Sequence, residues 1–147
     1  MKRFIDAALA SGWLWLLARL CLAVVFVSSG LAKLIDYEGG LREMRAAGLS
    51  PDWLFNLLTA FTLLAGATLL LLDRALWLGA GALALFLLAT ILVVHTFWRF
   101  DGAQAQLSLF FALEHVSVIG GLLAAAIASH ARRTILTVGS LIATCRG

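Results

Sequence analysis

The sequence predicts an all-α fold, an integral membrane four-helix bundle with a short interfacial helix in the first outer loop, and three observations lead there. Charged residues make up 13% of the 147, against the ~25% typical of a soluble domain. Mean hydropathy is +1.01. The apolar residues fall in four runs, Trp13–Ile35, Trp53–Leu72, Ala75–Trp98 and Leu107–Ala128, each near the ~20 residues that a hydrocarbon core requires. A soluble bundle of this size would show polar residues at helical spacing throughout, and these runs do not. The four runs leave no stretch for a separate soluble domain, so residues 1–147 are expected to form one membrane domain.

The first run follows Lys2-Arg3 and superficially resembles a signal peptide. Asp6 and Arg19 interrupt it, it is long enough to span, and Ser28-Ser29-Gly30 is a poor cleavage site, so it reads as a retained first helix. In "GGLREMRAAG", Leu41, Met44 and Ala47 stand at helical spacing opposite Arg42, Glu43 and Arg45, and Gly48 is a natural stop. That pattern predicts a short helix lying in the interface. The second span opens at "GLSPDWLF": Ser50 as cap, Pro51 in the first turn, Asp52 against the positive helix end. A tight Asp73-Arg74 turn leads to the third span, and a polar link at about 99–106 to the fourth. After Arg132-Arg133, "TILTVGSLIAT" is too short to span and is expected to lie along the inner surface or fray. Cys21 and Cys145 are far apart and form no metal-spaced set, so no disulfide is expected.

With four spans, both termini and the 73–74 turn share one face. Lys2, Arg3, Arg74, Arg132, Arg133 and Arg146 fall there. On the other face Lys33, Arg42, Arg45 and Arg99 are offset by Asp36, Glu38, Glu43, Asp52 and Asp101. The Lys/Arg bias favours both termini on the cytoplasmic side. The tryptophans agree: Trp13, Trp15 and Trp77 fall at inner helix ends, Trp53 and Trp98 at outer ends, where an apolar ring with a polar N–H belongs.

The candidate functional residues are the polar groups inside the spans. Counted at ~1.5 Å per residue from the outer ends, Glu114 and His115 lie about 10–12 Å deep, Ser28 and Ser29 about 9–10 Å, Asn56 and Thr59 about 5–9 Å, and His95 and Lys33 about 3–5 Å. Each helix thus offers polar side chains to one layer in the outer half, a candidate ligand-binding set of His95, Glu114, His115, Ser29, Asn56 and Lys33. A carboxylate near the bilayer middle costs several kcal/mol, estimates starting at ~2.5–3.5, so Glu114 is expected to face inward and find a partner. Arg19 is an intramembrane charge about 13 Å below Glu114 by the same rise, too far for a direct pair. Bland readings stand beside these. Lys33 suits a headgroup anchor, Ser28, Ser29 and Thr59 suit packing against backbone carbonyls, Asn56 suits a helix clamp, and Glu114 with His115 suits a structural polar clamp. His95, His115 and Glu114 have metal-ligating side chains, but no spacing demands a metal and none is expected. There is no phosphate loop, haem motif or nucleophile elbow, so no catalytic residue is assigned. The basic residues flank the membrane rather than forming a nucleic-acid patch.

The stretch "RLCLAVVFVSSGLAKLIDYEGGLREMRAAGLSP" resembles the opening of the DoxX family of small four-helix bacterial membrane proteins. Arg19, Gly30, Lys33, Gly48 and Pro51 fall on its pattern. His95, Phe97 and Trp98 of "HTFW", with Gly120 and Gly121 of "VIGGLL", match later positions. The resemblance covers about 16–125. It departs at Glu114-His115, where many members carry Lys-Asn. The resemblance implies a multi-pass protein of the bacterial inner (plasma) membrane. It also implies an accessory or quinone-associated subunit of a membrane redox complex handling oxidative or thiol stress, in contact with partner proteins of that complex. In that expectation His95, Glu114 and His115 hydrogen-bond a quinone headgroup while Phe97, Phe110 and Phe111 pack on its ring. Two other readings stay open: a structural or assembly protein without ligand, and a small-solute or proton pathway lined by Arg19, Glu114 and Lys33. Four helices are few for a transporter, so that pathway calls for a homo-oligomer.

Overall fold

The computed structural model describes residues 2–144, without the side chains at positions 139, 140, 142 and 143. Cys145 and Arg146 lie outside the described residues, and Cys21 is a free, exposed thiol. Among the described residues every regular element is helical: α1 (Lys2–Ala10), α2 (Gly12–Ile35), α3 (Tyr37–Ala46), α4 (Asp52–Leu72), α5 (Leu76–Val93), a 3-10 turn at Phe97–Arg99, and α6 (Gly102–Thr144). Four of these segments are long and apolar enough to cross a membrane, and α3 is the short additional helix expected after the first span.

Local chemistry sets the boundaries. Ser11 separates α1 from α2 and caps the latter, its hydroxyl accepting from the Leu14 N–H at 3.2 Å. The separate α1 is not foreseen from the sequence; it buries no residue and leaves Phe4 and Leu9 exposed. Asp36 ends α2 and starts α3: its N–H closes on the Ala32 carbonyl, and its carboxylate accepts from Gly39 N–H at 3.0 Å. At the end of α3 the Gly48 N–H bonds to Arg45 O at 3.0 Å and the Leu49 N–H to Met44 O at 2.9 Å. That is a Schellman closure, with Gly48 at φ 74 as it requires. The expected Ser50 cap does not form. Pro51 is itself the residue before α4 and makes no side-chain cap bond, and Asp52 is the first helical residue.

Two boundaries differ from expectation. The third span stops as an α-helix at Val93 instead of reaching Trp98, because Val94 and His95 both donate to the Thr90 carbonyl, at 2.8 and 3.1 Å, and close the ladder. The fourth does not stop near Ala128. No Gly or Pro lies between 122 and 138, and the Thr134 and Thr137 hydroxyls bond back to the His130 and Arg133 carbonyls. The helix therefore continues through the segment expected to lie on the surface or fray.

The spans pack in the ring order α2, α4, α5, α6, with a thin closing contact from α6 to α2. Phe26, Leu70, Leu76, Leu83 and Leu122 are almost fully buried along the centre. Small residues bring the backbones close: a Cβ at Gly66 would stand 2.6 Å from Leu83, and one at Gly79 would stand 2.9 Å from the Gly66 carbonyl. The face carrying α3 is termed the α3 face, and the opposite one, carrying the α4–α5 turn, the Asp73 face.

Candidate functional site: a cavity under α3

The cavity forms because α3 bridges α2 and α4 rather than filling the space between α4 and α5. Asn56 holds that bridge. It is fully buried, and its amide donates to the Lys33 carbonyl at 3.1 Å, engaging the last turn of α2. Gly40 lies so near that an added Cβ would stand 2.2 Å from Asn56 Oδ1. That oxygen has no hydrogen-bond partner. On the far side α5 stops at Val93, so its end does not seal the gap.

What is left is a cavity of about 530 Å³ between α3, α4 and α5. Phe55, Leu58, Phe86, Ala89 and Val93 give it apolar walls, and Thr59, Thr62 and Thr90 add hydroxyls. At its rim stand His95 and the Lys33–Glu43 ion pair. The size lies within the ~300–1,000 Å³ of small-molecule sites. A second hollow of about 830 Å³ shares Glu43, Met44, Val93 and Val94 with it and carries Thr96, Arg99 and Gln104 on its wall. The two together run from the α3 surface toward the membrane-level apolar walls.

The expected polar layer is only partly assembled. His95 lines the cavity, and behind it His115 meets it edge-on with ring centroids 4.9 Å apart, while Phe111 lies 5.3 Å from it. Lys33 and Thr59 also line the cavity. Asn56 is a helix clamp behind the wall. Ser29 is exposed on α2, and Ser28 bonds to the Val24 carbonyl at 2.8 Å. Glu114 departs from expectation: it is exposed on the outer side of α6, with Phe110, Leu113 and Ser117 around it. It makes no hydrogen bond or ion pair among the described residues. Adjacent helical positions lie ~100° apart around the axis, so a helix that turns His115 toward His95 turns Glu114 away. Phe110 is likewise 63% exposed and Phe97 packs on Trp98, leaving Phe111 as the one of the three phenylalanines beside His95. Among the described residues no cluster of three His, Cys, Asp or Glu side chains suits a metal.

The Asp73 face holds a polar cluster that sequence reasoning missed. Asp73 sits in the α4–α5 turn at φ 54. It accepts from Trp15 Nε1 at 2.8 Å and from Ser129 Oγ at 2.6 Å, and faces Arg133 at 3.7 Å and Arg19 at 4.0 Å. Arg19 is buried, donates to the Leu71 carbonyl at 2.8 Å, and lies over the Trp15 ring. Burial pushes the Asp73 carboxyl up. Hydrogen bonds from Ser129 and Trp15 and the charges of Arg19 and Arg133 outweigh that and hold it below the usual range. The signal is depth: the Asp73-Arg74 turn stands at the level of Arg19 and supplies the carboxylate that Glu114 is too far away to give.

A family model for DoxX matches residues 14–96, from α2 to the end of the third span. The chain belongs to the DoxX family. No curated protein and no solved structure matches it. The matched segment of this DoxX protein contains the whole wall of the cavity, including Lys33, Thr59 and His95. It also contains Arg19 and Asp73, and ends before Glu114 and His115.

Proposed function

We propose that this DoxX protein is an accessory subunit of a membrane redox complex and that its cavity under α3 holds a quinone. The observation that supports this best is the cavity itself: apolar walls within the spans, with hydrogen-bonding groups concentrated at one rim. A quinone needs flat apolar surfaces for its ring and donors for two oxygens. Phe55 and Phe86 supply the surfaces; the His95 imidazole, the Lys33 ammonium and the Thr59 and Thr62 hydroxyls supply the donors. His115 stands behind His95 and fixes its ring. A bound quinone carries electrons together with protons. In this reading the chain's part is to bind, orient and offer proton-exchanging groups at the rim. Electrons then come from a partner protein. Family membership suggests the bacterial inner membrane, and the Lys/Arg distribution favours both termini cytoplasmic, so in this reading the rim faces the outer side.

The test is a titration of a short-chain quinone against purified protein, read as thermal shift. Wild type shifts saturably, His95→Leu with Thr59→Val loses at least three-quarters of the shift, and Glu114→Gln keeps it. A response equal in wild type and the double variant, or none in wild type, overturns the reading. An assembly protein without ligand gives the second of those results.

A further inference from the structure

We infer that the cavity under α3 opens sideways into the bilayer between α4 and α5, and that the quinone it takes is a lipid-dissolved one whose hydrocarbon tail leaves through that gap. The inference rests on the quinone reading and names the substrate class of that site.

The gap follows from where α4 and α5 touch. Near their turn glycines draw them together: a Cβ on Gly66 would stand 2.6 Å from Leu83, and one on Gly79 would stand 2.9 Å from the Gly66 carbonyl. Nearer the α3 face, Phe55, Thr59 and Thr62 of α4 and Phe86, Thr90 and Val93 of α5 line the cavity instead.

Helical spacing tells which side of the gap is open. Toward the bundle centre, Asn56, Ala60 and Leu63 of α4 and Leu83 and Leu87 of α5 are buried and close it. On the other side, Leu54, Leu58 and Phe61 stand at i, i+4 and i+7, and Leu85, Ala89 and Leu92 do the same on α5. Each trio therefore forms one stripe along its helix. The outer members are exposed, with Phe61 at 71%, Leu85 at 68% and Leu92 at 59%, and they belong to segments long and apolar enough to span. The middle members, Leu58 and Ala89, line the cavity. The cavity wall thus runs without a break onto the lipid-facing surface of both helices.

The polar groups lie at the opposite end. His95 and Lys33, the latter held by Glu43, stand at the rim beneath α3, and Met44 is buried there. A ligand that fits both ends has a hydrogen-bonding head at the rim and a chain that passes between the two stripes into the acyl layer. A water-soluble solute makes no use of the second end.

The experiment uses full-length protein in phosphatidylcholine nanodiscs, with Cys21→Ala and Cys145→Ala and the lip pair Phe61→Cys and Leu85→Cys. A bifunctional thiosulfonate bridges the pair, and reduction releases it. Two probes share one quinone ring, one bearing only a methyl group and the other a chain of four isoprene units, and binding of each is expressed per mole of lipid. The bridge weakens the long-chain quinone at least tenfold and leaves the methyl quinone within twofold, and reduction restores the long-chain one. Phe61→Trp with Leu85→Trp, which narrows the gap without a bridge, gives the same unequal change. Equal loss of both quinones, or no change in either, overturns the inference while the quinone reading stands. An unbridged protein that binds neither overturns both.

Discussion

The two ends of this bundle solve the problem of polar groups in a membrane in opposite ways. On the Asp73 face one carboxylate gathers the polar groups around it, Arg19 Nε alone being buried without a hydrogen-bond partner among the described residues. One carboxylate accepts from Trp15 and Ser129, faces Arg19 and Arg133, and joins α2, the α4–α5 turn and α6. On the α3 face some are left over: His95, Thr59 and Thr62 stand around open space, beside a Lys33 held by Glu43 and a Thr90 hydroxyl that donates to the Phe86 carbonyl. Saturated polar contacts fix geometry, and unsatisfied ones facing a cavity offer a ligand its partners. That contrast, more than any single residue, separates the closing end of the molecule from its working end.

Breaking the saturated end should have the largest effect. Asp73→Ala leaves the buried Arg19 charge without its carboxylate and should cost about 3 kcal/mol, read by denaturant unfolding in detergent, with quinone binding to the surviving folded fraction retained. Gly40→Ala tests the lid over the open end. Its Cβ would stand 2.2 Å from Asn56 Oδ1, an overpacking worth roughly 1–3 kcal/mol, and it should weaken ligand binding as α3 lifts.

A smaller effect comes with acid. The folded Asp73 carboxyl lies below its ordinary value, so its stabilisation is fully present above the unfolded pKa of ~3.9 and is lost as pH falls from there through the folded value. The unfolding midpoint of wild type should fall with pH in that window by more than that of Asp73→Asn does. The smallest effect belongs to the rim pair. Glu43 is 67% exposed in its side chain, so Glu43→Gln should change stability by at most ~1 kcal/mol, while altering how the rim holds its ligand.

Much of the fold could be read from the residues because its signals are long. Four apolar runs, five tryptophans at their ends and Gly48 after an amphipathic turn all needed only composition and period. The interruptions were harder. Ser11 divides the first run through one cap bond, and the closure of α5 at Thr90 depends on two backbone donors sharing a carbonyl. Neither leaves a trace in hydropathy. For the site, depth was legible and azimuth was not. Counting residues put Glu114, His115 and His95 in the same outer half of the bundle, but which of two neighbouring positions turns inward follows from how α6 packs on α5. His115 faces in and Glu114 faces out on that account.

Photoaffinity labelling with an azido-quinone, followed by peptide mapping, tests the central claim most directly. Label concentrated on the Phe55–Thr62 and Phe86–His95 segments, and competed away by unmodified quinone, is the result expected of a ligand held under α3. Label centred on Phe110–Ser117 of α6, or spread evenly along every lipid-facing helix, would contradict it.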